Sequence, residues 1–425
     1  MLACTTTHPA GFRSLPLPIV QLSLEAVLHC GQSFRWTSFP LTPDLDDEHP
    51  PTLAHEYRFC LRDRVVCLRQ SHHVLFYRSV FPEQDLSAAE TTLREAETLT
   101  WIKDYFQLDV DLPKLYDDWS ERDTVFRSLR SRFSGIRVLR QDPWENLVSF
   151  ICSSNNNIGR ITKMIHALCK KYSSPLLSLE PPCPALASAP TMTPYHPFPP
   201  PSALAAPEVA SQLRSLGFGY RADFIQRTAK MLVDEHGTTV VMKPMEAPER
   251  WLLSLRDMNT TQAREELLKF VGVGRKVADC ILLMSLDKCE VIPVDTHVHQ
   301  IAVKHYHFTR NGLKGKTIMT PKIYDEISKR LSDIWGEYAG WAHSILFTAD
   351  LKAFSAYGLH EDHESPSISV VPSVVSESEG STKEPGPSSK RKPFSATESG
   401  AYRQDEGTDL LERVKKRRRG VSVLA

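Results

Sequence analysis

The stretch LLKFVGVGRKVADCILLM, Leu267 to Met284, decides how the centre of this chain folds. Apolar residues at helical spacing run to Phe270, the turn Val271-Gly272-Val273-Gly274 interrupts them, and a second apolar helix is predicted to begin at Arg275. Glycine at both turn positions permits backbone angles closed to other residues and close approach of another backbone. The turn also leaves free N–H groups at the start of the second helix, where a phosphate oxygen fits. Two readings of the hairpin stand: a plain glycine corner between helices, or a sequence-independent grip on a nucleic-acid backbone through Gly272 and Gly274.

Lys276 holds the second position of that helix. An electropositive helix start disfavours an ammonium group and so favours a free amine, a nucleophile able to form Schiff bases. A surface lysine touching a phosphate is the plain alternative. Downstream, Ile292-Pro293-Val294-Asp295-Thr296-His297 sets Asp295 where an apolar segment meets a new helix. Asp295 there reads as an N-cap, and equally as a fixed carboxylate facing positive charge developing on a sugar. The two roles are compatible. His297 and His299 are two residues apart and point apart on a helix, which argues against a shared metal.

Working outward, helical periodicity covers residues 143–169, with a polar break at Ser153-Ser154-Asn155-Asn156-Asn157 that reads as a loop and helix cap. It returns over 207–236, 248–286, 293–306 and 324–354, and is present earlier around Leu93 to Trp101 and Val125 to Phe133. From about 20 to 80 the pattern is of strands: Gln32 to Trp36, Glu56 to Arg62, Val65 to Gln70 and Val74 to Val80, separated by charged turns such as Arg62-Asp63-Arg64. The acidic, proline-rich run from Pro40 to Pro51 reads as a loop.

The fold class expected is α+β: a small N-terminal antiparallel β-sheet domain (1–120) packed on an all-helical region (121–358). Residues 175–207 are about a third proline and read as an exposed insertion. Residues 359–425, rich in Ser, Glu and Pro, read as a disordered tail. Its basic clusters, Lys390-Arg391-Lys392 and Lys415 to Arg419, read as a nuclear address or as a solvated charged end. The first twenty residues, with one Arg and no acid, read as a frayed terminus, with weak presequence character that allows a minor mitochondrial share.

The chain of 425 residues has length for two or three domains, and 41% hydrophobic residues supply a core. No run of eighteen apolar residues occurs, so no membrane span is expected. Lys+Arg and Asp+Glu are both 51, so a grip on nucleic acid must come from local cations and helix-start N–H groups. Nine cysteines without regular spacing, and no secretory signal, point to a reduced intracellular compartment. Cys60 and Cys67 lack a second close-spaced pair, which argues against an iron–sulfur cluster or zinc. No metal or cofactor is expected.

The hairpin, Lys276 and Pro293-Val294-Asp295 resemble the helix-hairpin-helix DNA glycosylase superfamily. Gly31-Gln32-Ser33-Phe34-Arg35-Trp36, Phe150 to Ile158, Gly219-Tyr220-Arg221 and Ala339-Gly340-Trp341-Ala342 narrow the resemblance to the eukaryotic 8-oxoguanine DNA glycosylase/lyase family, in the same order and over about residues 15 to 355 without the proline-rich insertion. The resemblance implies that Lys276 attacks C1′ of the damaged nucleotide, that a Schiff base and β-elimination follow, and that Asp295 supports the cationic sugar. It implies base flipping, with Asn155 filling the vacated space, Arg160 and Arg221 holding the orphaned cytosine, Tyr220 wedging the opposite strand and His297 facing a phosphate. It also implies that the Gly31 carbonyl accepts the N7–H that 8-oxoguanine has and guanine lacks, that Cys280 and Phe347 sandwich the base, and that Met284 lines the pocket. The partner implied is damaged double-stranded DNA, bound by a monomer.

One position departs from the family pattern. A glutamine normally follows Trp-Ala and reads the pairing edge of the base; here His343 stands there. A neutral imidazole has one donor and one acceptor where an amide has two of each kind of site, which puts lesion preference and its pH dependence in doubt. Two rivals follow: a glycosylase of the same superfamily with a different oxidised-purine preference, and a catalytically idle DNA-binding module. Lys276 and Asp295 together argue against the second. The four-cysteine cluster of endonuclease III-like relatives has no counterpart.

Overall fold

A computed structural model describes residues 9–41, 53–82, 87–183, 192–238, 245–308 and 319–359. Most of the acidic loop after Pro40, and the tail from 360 with its basic clusters, lie outside the described residues.

Strands β1 (Arg13–Pro16), β2 (Thr37–Pro40), β3 (His55–Cys60), β4 (Val65–Gln70) and β5 (Val74–Val80) form an antiparallel sheet in the order β1-β5-β4-β3-β2. The Arg62-Asp63-Arg64 turn joins β3 to β4: Leu61 N–H donates to the Arg64 carbonyl at 2.8 Å, and Cys60 stands opposite Val65. Side chains alternate between the faces of a strand, and both sets are buried. On one face Phe59, Val66, Leu68, Leu75 and Tyr77 pack with Ile102 and Tyr105 of α2 (Ala88–Tyr105). On the other, Cys60, Val65, Cys67 and Phe76 pack with Phe12 and Tyr195. Burial on both faces is why β4 reads as a continuous apolar run rather than an alternation.

Three expectations are corrected. Residues 9–20 are not frayed: Phe12 is buried and β1 pairs with β5, Arg13 opposite Tyr77; residues 1–8 lie outside the described residues. β1 thereby satisfies the backbone groups that β5 would otherwise present as an open edge. Gln32 to Trp36 is not a strand, since β2 begins only at Thr37. Gly31, with φ +88, turns the chain after α1 (Leu24–His29), and Gln32 then uses its side chain as a strand would use its backbone. Its Nε2 donates to the Arg137 carbonyl at 2.8 Å and its Oε1 accepts from Leu139 N–H at 2.9 Å. Finally, the proline-rich segment is not simply exposed. It forms a hairpin of β6 (Leu177–Leu179) and β7 (Thr193–Tyr195), and Tyr195, Phe198 and Leu204 are buried. Proline removes a donor but keeps its carbonyl; Trp144 Nε1 donates to that of Pro199 at 2.9 Å.

The remaining helices share one large core. They are α3 (Leu112–Arg122), α4 (Thr124–Leu129), α5 (Pro143–Ile151), α6 (Ile158–Tyr172), α7 (Pro201–Leu204), α8 (Glu208–Ser215), α9 (Arg221–His236), α10 (Ala247–Ser254), α11 (Thr260–Leu268), α12 (Arg275–Ser285), α13 (Thr296–Tyr306), α14 (Pro321–Trp335) and α15 (Ala339–Asp350). Asn157 caps α6, accepting from Arg160 N–H at 2.9 Å, so the polar break is the loop and cap expected of it. No described helix is long and apolar enough to cross a membrane.

Buried polar contacts dock the sheet on the helices. Arg35 donates to both carboxylate oxygens of Glu145 on α5, at 2.8 and 2.6 Å, and to the Cys60 carbonyl at 2.8 Å. Gln141 N–H donates to the carbonyl of Met284 on α12 at 2.8 Å, and its side chain to the Gln32 carbonyl at 3.0 Å. These bonds hold residues 30–36 between the sheet and α12. The fold is α+β, an antiparallel sheet packed on a helical region that contains the α11–α12 hairpin and, against the all-helical expectation, the β6–β7 pair.

Candidate active site

The α11–α12 hairpin forms where its sequence predicts it, and its two glycines do different work. Gly272 has φ +84, and a Cβ there would lie 2.4 Å from Cδ2 of Phe224 on α9. It is glycine both for its backbone angle and because an aromatic side chain, rather than a backbone, presses on it. Gly274 has an ordinary φ of −97 and open space around it. As N-cap of α12 it supplies no capping side chain, so the first N–H groups of the helix face outward without one, a surface suited to an anion.

One turn into α12 the surface becomes a pocket. Lys276, Cys280 and Met284 follow at spacings of four and share one face of the helix. They line a cleft of about 430 Å³, counting its open mouth, together with Cys30, Gly31, Gln32, Phe150, Pro293, Asp295, His343, Ser344 and Phe347. All seven residues assigned to catalysis or to the base pocket are therefore brought together. A roomier cleft bordered by Arg35, Trp101, Arg140 and Arg256 contains no lysine and none of these residues.

Lys276 is half-buried and turns inward, its Nζ 5.3 Å from the centre of the Phe150 ring. Burial pushes the Cys280 thiol up to about 11, and the charge and hydrogen bond of Lys276 oppose that rise, which places amine and sulfur side by side. Asp295 caps α13: its Oδ1 accepts from His297 N–H at 2.9 Å and Val298 N–H at 3.0 Å. Both bonds use one oxygen, so Oδ2 is left for a charge in the pocket.

Gly31 has its positive φ, and a Cβ there would meet Cδ1 of Ile158 at 2.8 Å. His343 is 6% exposed, and neither ring nitrogen makes a well-formed hydrogen bond, the Gly340 backbone one turn back being a weak contact. Burial first, and Lys276 second, lower its pKa to about 4 against the pull of Asp295. It is thus a neutral imidazole with hydrogen-bonding capacity left for a ligand of the cleft. Phe347 lies across the His343 ring at 6.0 Å and meets the edge of His297 at 5.9 Å. His297 is exposed, with Nδ1 3.5 Å from Asp350 Oδ2.

The remaining candidates form a second patch, built by the loops at 153–157 and 217–221. Asn155 is exposed with φ +48, a left-handed angle that asparagine tolerates better than most residues. The Tyr220 hydroxyl donates to the Ser154 carbonyl at 3.1 Å, and Arg160 donates to the Gly217 carbonyl at 3.2 Å. Tyr220 is 49% exposed, whereas Arg221 is 3% exposed and donates to the carbonyls of Ser154 and, at 3.1 Å, Asn155. Taken singly, the tyrosine reads as core and the arginine as surface; the fold reverses that. Sequence reading missed Phe150, which seats the Lys276 amine, and Phe224, which sets the hairpin glycine. Phe150 stands in the sequence only as the first residue of the run to Ile158, and Phe224 as an ordinary helix residue; nothing local marks the contact that either makes.

Residues 14–147 match the family model of the 8-oxoguanine DNA glycosylase N-terminal domain, and 148–323 that of the HhH-GPD superfamily base excision DNA repair protein. The N-glycosylase/DNA lyase of Saccharomyces cerevisiae is 34% identical over 358 residues, covering 80% of this chain and 86% of the yeast protein. N-glycosylase/DNA lyase OGG1 of Arabidopsis thaliana is 34% identical over 345 residues, 80% of each chain. Among solved structures, MBOgg1 with a low-affinity DNA ligand superposes with a TM-score of 0.57 at 26% identity, covering 80% of this chain and 94% of that one. The Clostridium acetobutylicum 8-oxoguanine glycosylase/lyase, bound to double-stranded DNA with cytosine opposite 8-oxoG, gives 0.55 at 25% identity over 77% and 91%. The chain belongs to the 8-oxoguanine DNA glycosylase/lyase family of the helix-hairpin-helix base-excision repair superfamily.

Proposed function

We propose that this protein excises 8-oxoguanine opposite cytosine from duplex DNA and then nicks the strand. The observation that carries this reading is the convergence of the Lys276 amine, the Asp295 carboxylate and the Gly31 turn on one cleft. The amine nitrogen of Lys276 attacks C1′ as the N-glycosidic bond breaks, and a proton passes to the departing base. Opening of the sugar ring gives a Schiff base. Loss of a C2′ proton then expels the 3′ phosphate by β-elimination. Asp295, through Oδ2, stabilises the positive charge that builds on the sugar. The bound base lies between Cys280 and Phe347 over Met284, with its N7–H donated to the Gly31 carbonyl; guanine offers an acceptor there and is repelled.

Outside the pocket, the open N–H groups after Gly274, with Gly272 shaping the turn, hold a phosphate, and His297 faces another. Tyr220 wedges the duplex, Asn155 enters the gap left by the base, and the exposed Arg160 takes the orphaned cytosine. Arg221 joins it once released from the loop carbonyls it holds. His343, neutral and without a well-formed hydrogen bond, accepts from the N1–H of the base in one tautomer. All these groups come from one chain, which suits a monomer on DNA, and the basic clusters of the tail support a nuclear address.

Borohydride trapping tests the reading. The protein should be captured covalently on duplex DNA holding 8-oxoguanine opposite cytosine, and Lys276→Gln should bind that DNA without being trapped. Trapping of the variant makes another amine the nucleophile. A panel of oxidised purines opposite each base then decides between 8-oxoguanine and the rival preference that His343 raises.

A further inference from the structure

Three helices and the loop before Asp295 meet at a buried carboxylate that the chemistry above does not use. Asp279 lies one turn beyond Lys276 on α12 and is fully enclosed. Its Oδ1 accepts from Arg264 Nε of α11 at 2.7 Å. Its Oδ2 accepts from Arg275 Nε at 3.0 Å and from the hydroxyl of Tyr324, on α14, at 2.6 Å. The same hydroxyl oxygen accepts the N–H of Val294 at 3.0 Å, and Val294 directly precedes Asp295.

The bonds of Asp295 itself attach it to α13 alone and do not relate it to the helix that carries the nucleophile. Val294 is buried, and its N–H would cost a good part of its desolvation energy if unpaired. Tyr324 answers that need from a fixed place. Its ring is buried under the Arg275 guanidinium, 5.0 Å away. Burial and the Asp279 charge push its phenol far up, so it keeps its proton for Asp279 and offers an oxygen lone pair to Val294. Arg264 and Arg275 balance the charge of Asp279 and keep it a rigid acceptor.

We infer that Tyr324 is a positioning residue of the excision reaction: by bridging Asp279 and Val294 it ties the residue before Asp295 to the helix bearing Lys276, and so sets carboxylate against amine. This rests on the proposed roles of Lys276 and Asp295. A displacement of about 1 Å at a reacting group costs roughly a hundredfold in rate even when its origin is remote.

Tyr324→Phe keeps the ring and removes the bridge. In single-turnover assays on 8-oxoguanine opposite cytosine, it should lower the excision rate about 10–100-fold while leaving DNA affinity within about threefold. In an Asp295→Asn background the same change should cost less than about twofold, because what it positions is already disabled. An equal loss in both backgrounds assigns Tyr324 to general packing and overturns the inference, as does a Tyr324→Phe rate within about twofold of the parent. If Tyr324→Phe does not fold, Asp279→Asn carries the test, since an amide offers one acceptor oxygen to three donors; the same rate-selective, background-dependent loss is expected. Lys276→Gln run alongside keeps the two questions apart. Trapping of that variant sinks the reading of the site, whereas an unaffected Tyr324→Phe beside an inert Lys276→Gln sinks only the bridge.

Discussion

Replacing Gly272 with alanine is expected to unfold the hairpin turn at a cost that the geometry sets. An L-residue held at φ +84 costs about 1–2 kcal/mol. The new methyl would also stand 2.4 Å from Phe224 Cδ2 and 2.8 Å from Phe224 Cβ. Rotating the ring relieves the first contact but not the second, because Cβ is fixed to α9. Part of α9 must therefore move, and forced overpacking of this kind costs about 1–3 kcal/mol. The sum is a loss of about 2–5 kcal/mol. Since Phe224 meets Tyr220 edge-on at 5.5 Å, the shift reaches the patch around Asn155 and Tyr220 as well.

Gly274→Ala is the internal control. With φ −97 and nothing within 4 Å of a new Cβ, it should change stability by no more than about 0.5 kcal/mol, yet weaken DNA binding by crowding the approach to the α12 N–H groups. Thermal and urea unfolding read the first quantity, and titration with fluorescent duplex reads the second. A Gly272→Ala protein within about 1 kcal/mol of the parent, or a Gly274→Ala protein destabilised as much as Gly272→Ala, would refute the division of labour between the glycines.

Glu145→Ala strands the buried Arg35 guanidinium and should cost about 3–5 kcal/mol by denaturant unfolding; Arg35→Met combined with Glu145→Met should recover part of that loss, and no recovery would count against the buried-charge explanation. The pKa of His343 is lowered to about 4 in the folded chain. The unfolded chain therefore binds the extra proton as pH falls below about 6.5, and this group removes about 1.4 kcal/mol of stability per pH unit until the folded imidazole also titrates near 4. His343→Gln should flatten that limb of the stability–pH curve and leave stability above pH ~7 little changed; an unaltered slope would show that other groups govern it. Deleting residues 385–425 from a fluorescent fusion should release it from the nucleus, and an unchanged distribution would count against the basic clusters as an address.

How much of this was legible beforehand differs from residue to residue, for physical reasons. The hairpin, the position of Lys276 and the capping role of Asp295 are local: they depend on helical period, glycine and cap chemistry within a few residues, and the chain displays them directly. So do β3, β4, β5 and the turn at Arg62-Asp63-Arg64. The sequence by itself therefore determined most of the helices, the strands β3 to β5 and the hairpin that sets Lys276 at a helix start. Tertiary structure decided what the side chains face. Gln32 to Trp36 has the composition of a strand, but Gln32 and Arg35 bond to Arg137, Leu139 and Glu145, more than a hundred positions away, and Tyr195 of the proline-rich segment is buried against the apolar second face of β4 and β5. Arg221 lies beneath a loop, Phe150 seats the amine of Lys276, and Tyr324 bonds to Val294. These depend on contacts between elements remote in sequence, where burial and pairing are properties of the assembled core and leave no periodic trace along the chain.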